Sequence, residues 1–176
     1  GVLQAQAMTR TLNAIKDLVN SARSCGAERL RILGTSALRE ARNSADFLRM
    51  VADECGADVE VISEEQEGRF SYAAVSGDQL LGGYEETQGV LDVGGGSAEL
   101  IIGRGRRVLS VTSVKAGAVR FTDLYLKADR PSVCEYIDAG SAADSLIAPV
   151  VAGVTLNRLV AVGGSAVNIA RVSAQI

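Results

Sequence analysis

The chain has 176 residues, of which 47% are hydrophobic and 22% charged, with a net charge of −3 and no histidine. That length and balance suit one well-buried domain or two small ones. The absence of histidine excludes imidazole acid–base chemistry and histidine metal sites, and the acidic balance argues against general attraction to nucleic acid or anionic membrane. Residues 2–24 carry apolar side chains at helical spacing (Leu12, Ile15, Leu18, Val19) and predict an amphipathic helix that Cys25-Gly26 ends. Residues 29–33 predict a strand, followed by a Gly34-Thr35-Ser36 loop. Asn43 or Ser44 is placed to cap a helix reaching Cys55, with Gly56 as its stop. A short alternating strand is expected over 59–62. Ser63, with Gln66 three residues on, opens a further helix over 64–75 with a capping box. Helix, strand, helix, strand, helix is the order of parallel α/β units.

After a linker over 76–87 the pattern changes. Residues 90–93, 98–102 and 108–114 predict three strands joined by short turns, an antiparallel meander. Pro131 precedes a helical region reaching about residue 154, in which Pro149 predicts a kink or break. Residues 159–163 form another buried strand, and Gly163-Gly164-Ser165 leads into a helix from about Ala166. The second half is therefore three antiparallel strands, helix, strand, helix. The first half reads as the same unit without its three opening strands, which sets the expected domains at 1–86 and 87–176.

Three cysteines (Cys25, Cys55, Cys134) lie far apart without CxxC spacing. They fit reduced, buried thiols in a cytoplasmic protein better than a disulfide framework or a zinc site. No apolar run reaches the length of a membrane span and no signal peptide is visible. A first residue of Gly1 rather than Met points to a processed chain, or to one cut from something longer.

The stretch Gly89-Val-Leu-Asp-Val-Gly-Gly-Gly-Ser-Ala-Glu-Leu-Ile-Ile-Gly103 carries the most chemistry. Three glycines let the backbone turn with no Cβ in the way, and their N–H groups can converge on an anion as a phosphate nest. Asp92 stands where a carboxylate can hold a divalent cation against that phosphate. An ordinary tight hairpin is the competing reading, and spacing does not separate the two.

Four blocks carry a resemblance: Thr35-Ser-Ala-Leu-Arg-Glu-Ala41, Val61-Ile-Ser-Glu-Glu-Gln-Glu-Gly68, Asp92-Val-Gly-Gly-Gly-Ser-Ala-Glu99 and Val162-Gly-Gly-Ser-Ala-Val-Asn168. In residues and in order they resemble the exopolyphosphatase and guanosine pentaphosphate phosphohydrolase (Ppx/GppA) family. The resemblance implies the actin-like ATPase fold, α/β, with two ribonuclease-H-like domains and an interdomain cleft. It implies hydrolysis of terminal phosphoanhydride bonds of inorganic polyphosphate or guanosine pentaphosphate, assisted by Mg2+ or Mn2+. The family's opening strand hairpin, with its first phosphate loop, has no counterpart here, and the chain stops soon after Asn168, before the family's closing elements of the second domain, so it resembles a central segment with both domains partial. Such a segment leaves a sheet edge open and apolar helix faces uncovered, so association, as a homodimer for example, is expected. Ala98 and Ser165 stand where the family usually has threonine.

Residue by residue, Glu67 matches the family's catalytic glutamate, which would orient and deprotonate a water. Its competing role, with Glu64 and Glu65, is to complement a helix dipole. Asp92 matches a metal-binding aspartate, with Glu99 assisting through water. Gly94, Gly95, Gly96 and Ser97 match the phosphate loop. Arg39 lies in a matching block and is a candidate phosphate contact. Arg69, Arg104, Arg106 and Arg107 read as surface charges that can also meet anions. Gly163-Gly164-Ser165 matches a nucleotide-contacting position of actin-like kinases, or serves helix–strand packing. Two other readings stay open: an ATP-dependent kinase of the same superfamily, against which the Glu67 block speaks, and a non-catalytic polyphosphate- or nucleotide-binding fragment.

Overall fold

A computed structural model describes residues 1–174. The chain divides into two compact units, Gly1–Ser63 and Glu64–Ile176. The order of elements in the sequence instead places the division at 86/87, with the 64–75 helix in the first domain.

In the first unit, α1 (Ala5–Ser24), β1 (Ile32–Gly34), α2 (Ser36–Glu40), α3 (Ser44–Cys55) and β2 (Val59–Val61) follow one another. β1 and β2 pair in parallel, Ile32 opposite Val59 and Gly34 opposite Val61, as α/β alternation requires. Leu12 of α1 and Phe47, Val51 and Cys55 of α3 form the core; of the three cysteines expected to be buried only Cys55 is, while Cys25 and Cys134 are exposed. Gly26 ends α1 with a φ of 80°. Its N–H reaches the Arg23 carbonyl and the Ala27 N–H reaches that of Ala22, the paired bonds of a Schellman stop. Gly56, left-handed at 59°, closes α3. Asn43 does not cap α3 with its side chain. Instead Oδ1 accepts from the Leu3 N–H at 2.8 Å and Nδ2 donates to the Leu3 carbonyl at 3.0 Å, which ties down the lead into α1. The strand expected at 29–33 begins only at Ile32, and α2 occupies part of what reads as loop.

The second unit holds α4 (Glu64–Gly77), β3 (Thr87–Val93), β4 (Ala98–Arg104), β5 (Arg107–Val114), α5 (Ala118–Tyr125), α6 (Val133–Val151), β6 (Arg158–Val162) and α7 (Gly163–Ala174). The meander forms as the three strands and their short turns predict, and β6 adds in parallel to β3, giving the order β5-β4-β3-β6. α4 lies on one face of this sheet. Its Tyr72 and Val75 are buried with Val90 and Ile101. Gly68 makes the approach close: a Cβ there would sit 2.6 Å from Val111 Cγ1. This packing is why α4 clusters with the second unit. α6 opens with a Ser132/Glu135 capping box and runs through Pro149 to stop at Val151. α5 has no counterpart among the elements expected from the sequence. Among the described residues no helix is long and apolar enough to cross a membrane.

Candidate active site

The glycine loop, Gly94 to Ser97, joins β3 to β4. None of its glycines takes a left-handed φ. What the loop needs is closeness: a Cβ on buried Gly117 would lie 2.4 Å from the carbonyl carbon and oxygen of Gly95 and from the carbonyl carbon of Gly96. The segment leading into α5 therefore lies directly on the loop backbone, and it takes up the loop's carbonyls. Ala118 N–H donates to Gly94 O at 2.9 Å, Arg120 N–H to Gly95 O at 3.0 Å, and Arg120 Nε to Gly96 O at 2.8 Å. Among the described residues all peptide bonds are trans, so each N–H of the loop points opposite to the carbonyl of its own peptide plane. With three successive carbonyls turned to α5, the N–H groups of Gly95, Gly96 and Ser97 point away from it. Three successive amides with that common sense are what an anion nest requires.

Asp92 stands two residues before the loop. It is half-buried, and its Oδ2 accepts from the Ser71 hydroxyl at 2.5 Å. Its Oδ1 lies by Gly163, where a Cβ would stand 3.0 Å away. Gly163 has a φ of 87° and is the first residue of α7, so the positive end of that helix faces the carboxylate. The Gly163-Gly164 pair thus serves a tight strand-to-helix turn against Asp92.

Glu99 pairs with Asp92 across β3–β4 but is only 1% exposed. Its Oε1 accepts from Ser113 Oγ at 2.9 Å. Burial, foremost, pushes the Glu99 carboxyl above the ordinary glutamate range; hydrogen bonds from Ser97 and Ser113 pull it down, and the charges of Glu67 and Asp92 add to the rise. Glu67, half-buried in the first turn of α4, is thus electrostatically coupled to Glu99. The structure brings Glu67, Asp92, Glu99 and the glycine loop into one unit.

The arginines separate. Arg39 lies in the first unit, where its Nη1 donates to the Ile62 carbonyl at 2.8 Å. Arg69 is bonded through Nε and Nη2 to Glu65, one turn back on α4, at 3.0 and 2.9 Å. With Glu64 and Ser113 it lines a cavity of about 370 Å³. Arg104, Arg106 and Arg107 lie at the β4–β5 turn, the end of β4 remote from the glycine loop.

Among the described residues no group of three or more Cys, Asp or Glu side chains is arranged to hold a metal. Mg2+ does not demand one: it keeps several waters and is held by one or two carboxylates together with substrate phosphates. Asp92 beside an amide nest fits that donor set. Buried Glu99, engaged by two serines, fits the holding of the loop's first strand residues better than a ligand's place. Gly117, Arg120, Ser71 and Ser113 belong to the site without figuring among the candidates from sequence. Only Gly117 leaves a signal there, an isolated glycine before an amphipathic turn.

The Ppx/GppA phosphatase family model matches residues 1–176. The guanosine-5'-triphosphate,3'-diphosphate pyrophosphatase of Photobacterium profundum is 38% identical over 150 residues, 85% of this chain and 29% of that protein. The protein of the same name from Vibrio cholerae is 32% identical over 164 residues, 93% of this chain and 32% of that one. Among solved structures, the Aquifex aeolicus Ppx/GppA family member is similar with a TM-score of 0.77 at 30% identity, over 99% of this chain and 56% of its own. An exopolyphosphatase from Cytophaga hutchinsonii, 23% identical, shares the fold with a TM-score of 0.89, over 99% of this chain and 56% of its own. The chain thus spans under a third of the length of these curated relatives.

Proposed function

Because the chain belongs to the Ppx/GppA phosphatase family and has its actin-like α/β fold, we propose that it forms the catalytic part of a phosphohydrolase. The reaction is hydrolysis of terminal phosphoanhydride bonds of guanosine pentaphosphate or inorganic polyphosphate. The observation that carries this reading is the loop on α5: its carbonyls are bound there, so its amides face the other way, next to Asp92. That arrangement receives a terminal phosphate.

Glu67 is the general base. A phosphoryl group passing to water needs a group that orients the nucleophile in line with the phosphorus and takes its proton. A carboxylate in the first turn of α4 suits this, on the helix whose next turn reaches Asp92 through Ser71. The amides of Gly95, Gly96 and Ser97 stabilise charge on the transferred group. A divalent cation held by Asp92 would neutralise phosphate charge. Buried Glu99 braces Ser97 and Ser113. Arg39, bonded to Ile62 in the first unit, is a candidate phosphate contact on which the reading does not depend.

The kinase reading predicts phosphate passed to an acceptor from ATP. The Glu67 position favours water as acceptor. The deciding assay supplies the protein with polyphosphate, guanosine pentaphosphate or ATP and measures released phosphate. Release from either of the first two, without a co-substrate, supports the hydrolase. Turnover of ATP alone, dependent on an acceptor, overturns it.

A further inference from the structure

Ser71 stands four residues after Glu67, so the two lie one turn apart on the same face of α4. A serine inside a helix ordinarily returns its hydroxyl to the carbonyl four residues back. Here its single proton goes to Asp92 Oδ2 at 2.5 Å, a separation of 21 residues in sequence. An ionised carboxylate only accepts, so the hydroxyl must be the donor.

The other carboxylate oxygen, Oδ1, lies beside Gly163 at the start of α7. Asp92 is therefore held on one oxygen by α4 and bounded on the other by the β6–α7 turn. It sits at the end of β3, where the ladder gives way to the loop. Its side chain needs such a brace to keep one rotamer next to a loop whose backbone is already set by α5.

Resting on the hydrolase reading given above, we propose that Ser71 is a positioning residue. Its hydroxyl fixes the Asp92 carboxylate relative to Glu67, so that the helix carrying the base also sets the orientation of the phosphate-side carboxylate. Neither Ser71 nor its hydrogen bond touches the reacting atoms; the effect passes through Asp92.

The test compares wild type with Ser71→Ala and Ser71→Thr. Alanine favours a helix over serine, so folding is retained, and threonine keeps the hydroxyl. In Ser71→Ala, kcat for phosphate release should fall about 10- to 100-fold, the scale of a misplacement of about 1 Å. KM should change less than about threefold, and Ser71→Thr should recover most of the loss. Independently of turnover, the Hα–Hβ couplings of Asp92 by NMR should show one rotamer in wild type and Ser71→Thr, and rotamer averaging in Ser71→Ala. Unchanged Asp92 couplings in Ser71→Ala overturn the proposal. So does an unchanged kcat in a protein that Glu67→Gln inactivates, and there the hydrolase reading survives. If wild type releases no phosphate from either substrate, that reading fails while the couplings still decide the role of Ser71.

Discussion

Asp92 and Glu99 are register partners across the β3–β4 ladder, yet they live in opposite surroundings. Asp92 is half-buried and accepts a hydrogen bond from the Ser71 hydroxyl. Glu99 is 1% exposed and takes hydroxyl bonds from Ser97 and Ser113. Paired carboxylates whose environments differ in this way divide their roles. In the mechanism proposed above, the accessible one meets the ligand and the buried one organises the residues around it.

The Glu99 carboxyl is raised above its ordinary value of 4.5, chiefly by burial. A raised folded-state value means that the protonated form is the one folding favours. Its contribution to stability is full below about 4.5 and is lost as pH rises through the folded value. Glu99→Gln mimics the protonated form. It should raise Tm at neutral pH and have little effect at pH 4, as thermal melts across that range would show. A Tm lowered equally at both pH values would contradict burial as the dominant cause.

Gly117→Ala should disable the loop. The new Cβ meets backbone atoms of Gly95 and Gly96 at 2.4 Å, and backbone gives way less easily than a flexible side chain. Overpacking of this kind costs about 1–3 kcal/mol. Here it also pushes the phosphate loop off α5, so KM should rise more than kcat falls. Steady-state kinetics with a melting curve would check both.

Asp92→Ala should raise the Mg2+ or Mn2+ concentration needed for half-maximal phosphate release by roughly tenfold or more, since in the proposed mechanism the cation would neutralise phosphate charge. A metal titration superimposable on that of wild type would remove Asp92 from cation binding.

Much of this architecture is legible in the chain. The β3-β4-β5 meander shows as three strands joined by short turns, and α3 and α4 show through cap and stop residues with usable boundaries. What is not legible has physical causes. α2 and α5 have 5 and 8 residues, too few for a periodic signal. Ser63 and Gln66 identify the α4 helix but not the sheet it packs on; β4 and β5, later in sequence, decide that. The three glycines point to a phosphate loop, but its orientation comes from carbonyl bonds to Ala118 and Arg120, which no local pattern encodes. The Ser71–Asp92 bond is hidden for the same reason.

Self-association should follow from apolar surface. A cavity of about 360 Å³ on the sheet face opposite α4 is lined by Leu91, Leu100, Val114, Ile147, Val151 and Leu159. Exposed Val133, Tyr136, Ile137 and Ile169 extend the apolar surface of α6 and α7. Such patches drive association. Light scattering should show a mass above that of one chain, rising with concentration. A monomer at high concentration would contradict this.

The most direct measurement concerns Glu67. Glu67→Gln should retain binding of polyphosphate or guanosine pentaphosphate within a few-fold while lowering kcat for phosphate release by roughly 10²–10⁴-fold, the contribution of a general base. Single-turnover phosphate release from pre-bound substrate separates chemistry from binding. A slow chemical step with intact binding is the expected result. Near-normal release from Glu67→Gln would contradict the role of Glu67 as base, and with it the mechanism proposed for this fold.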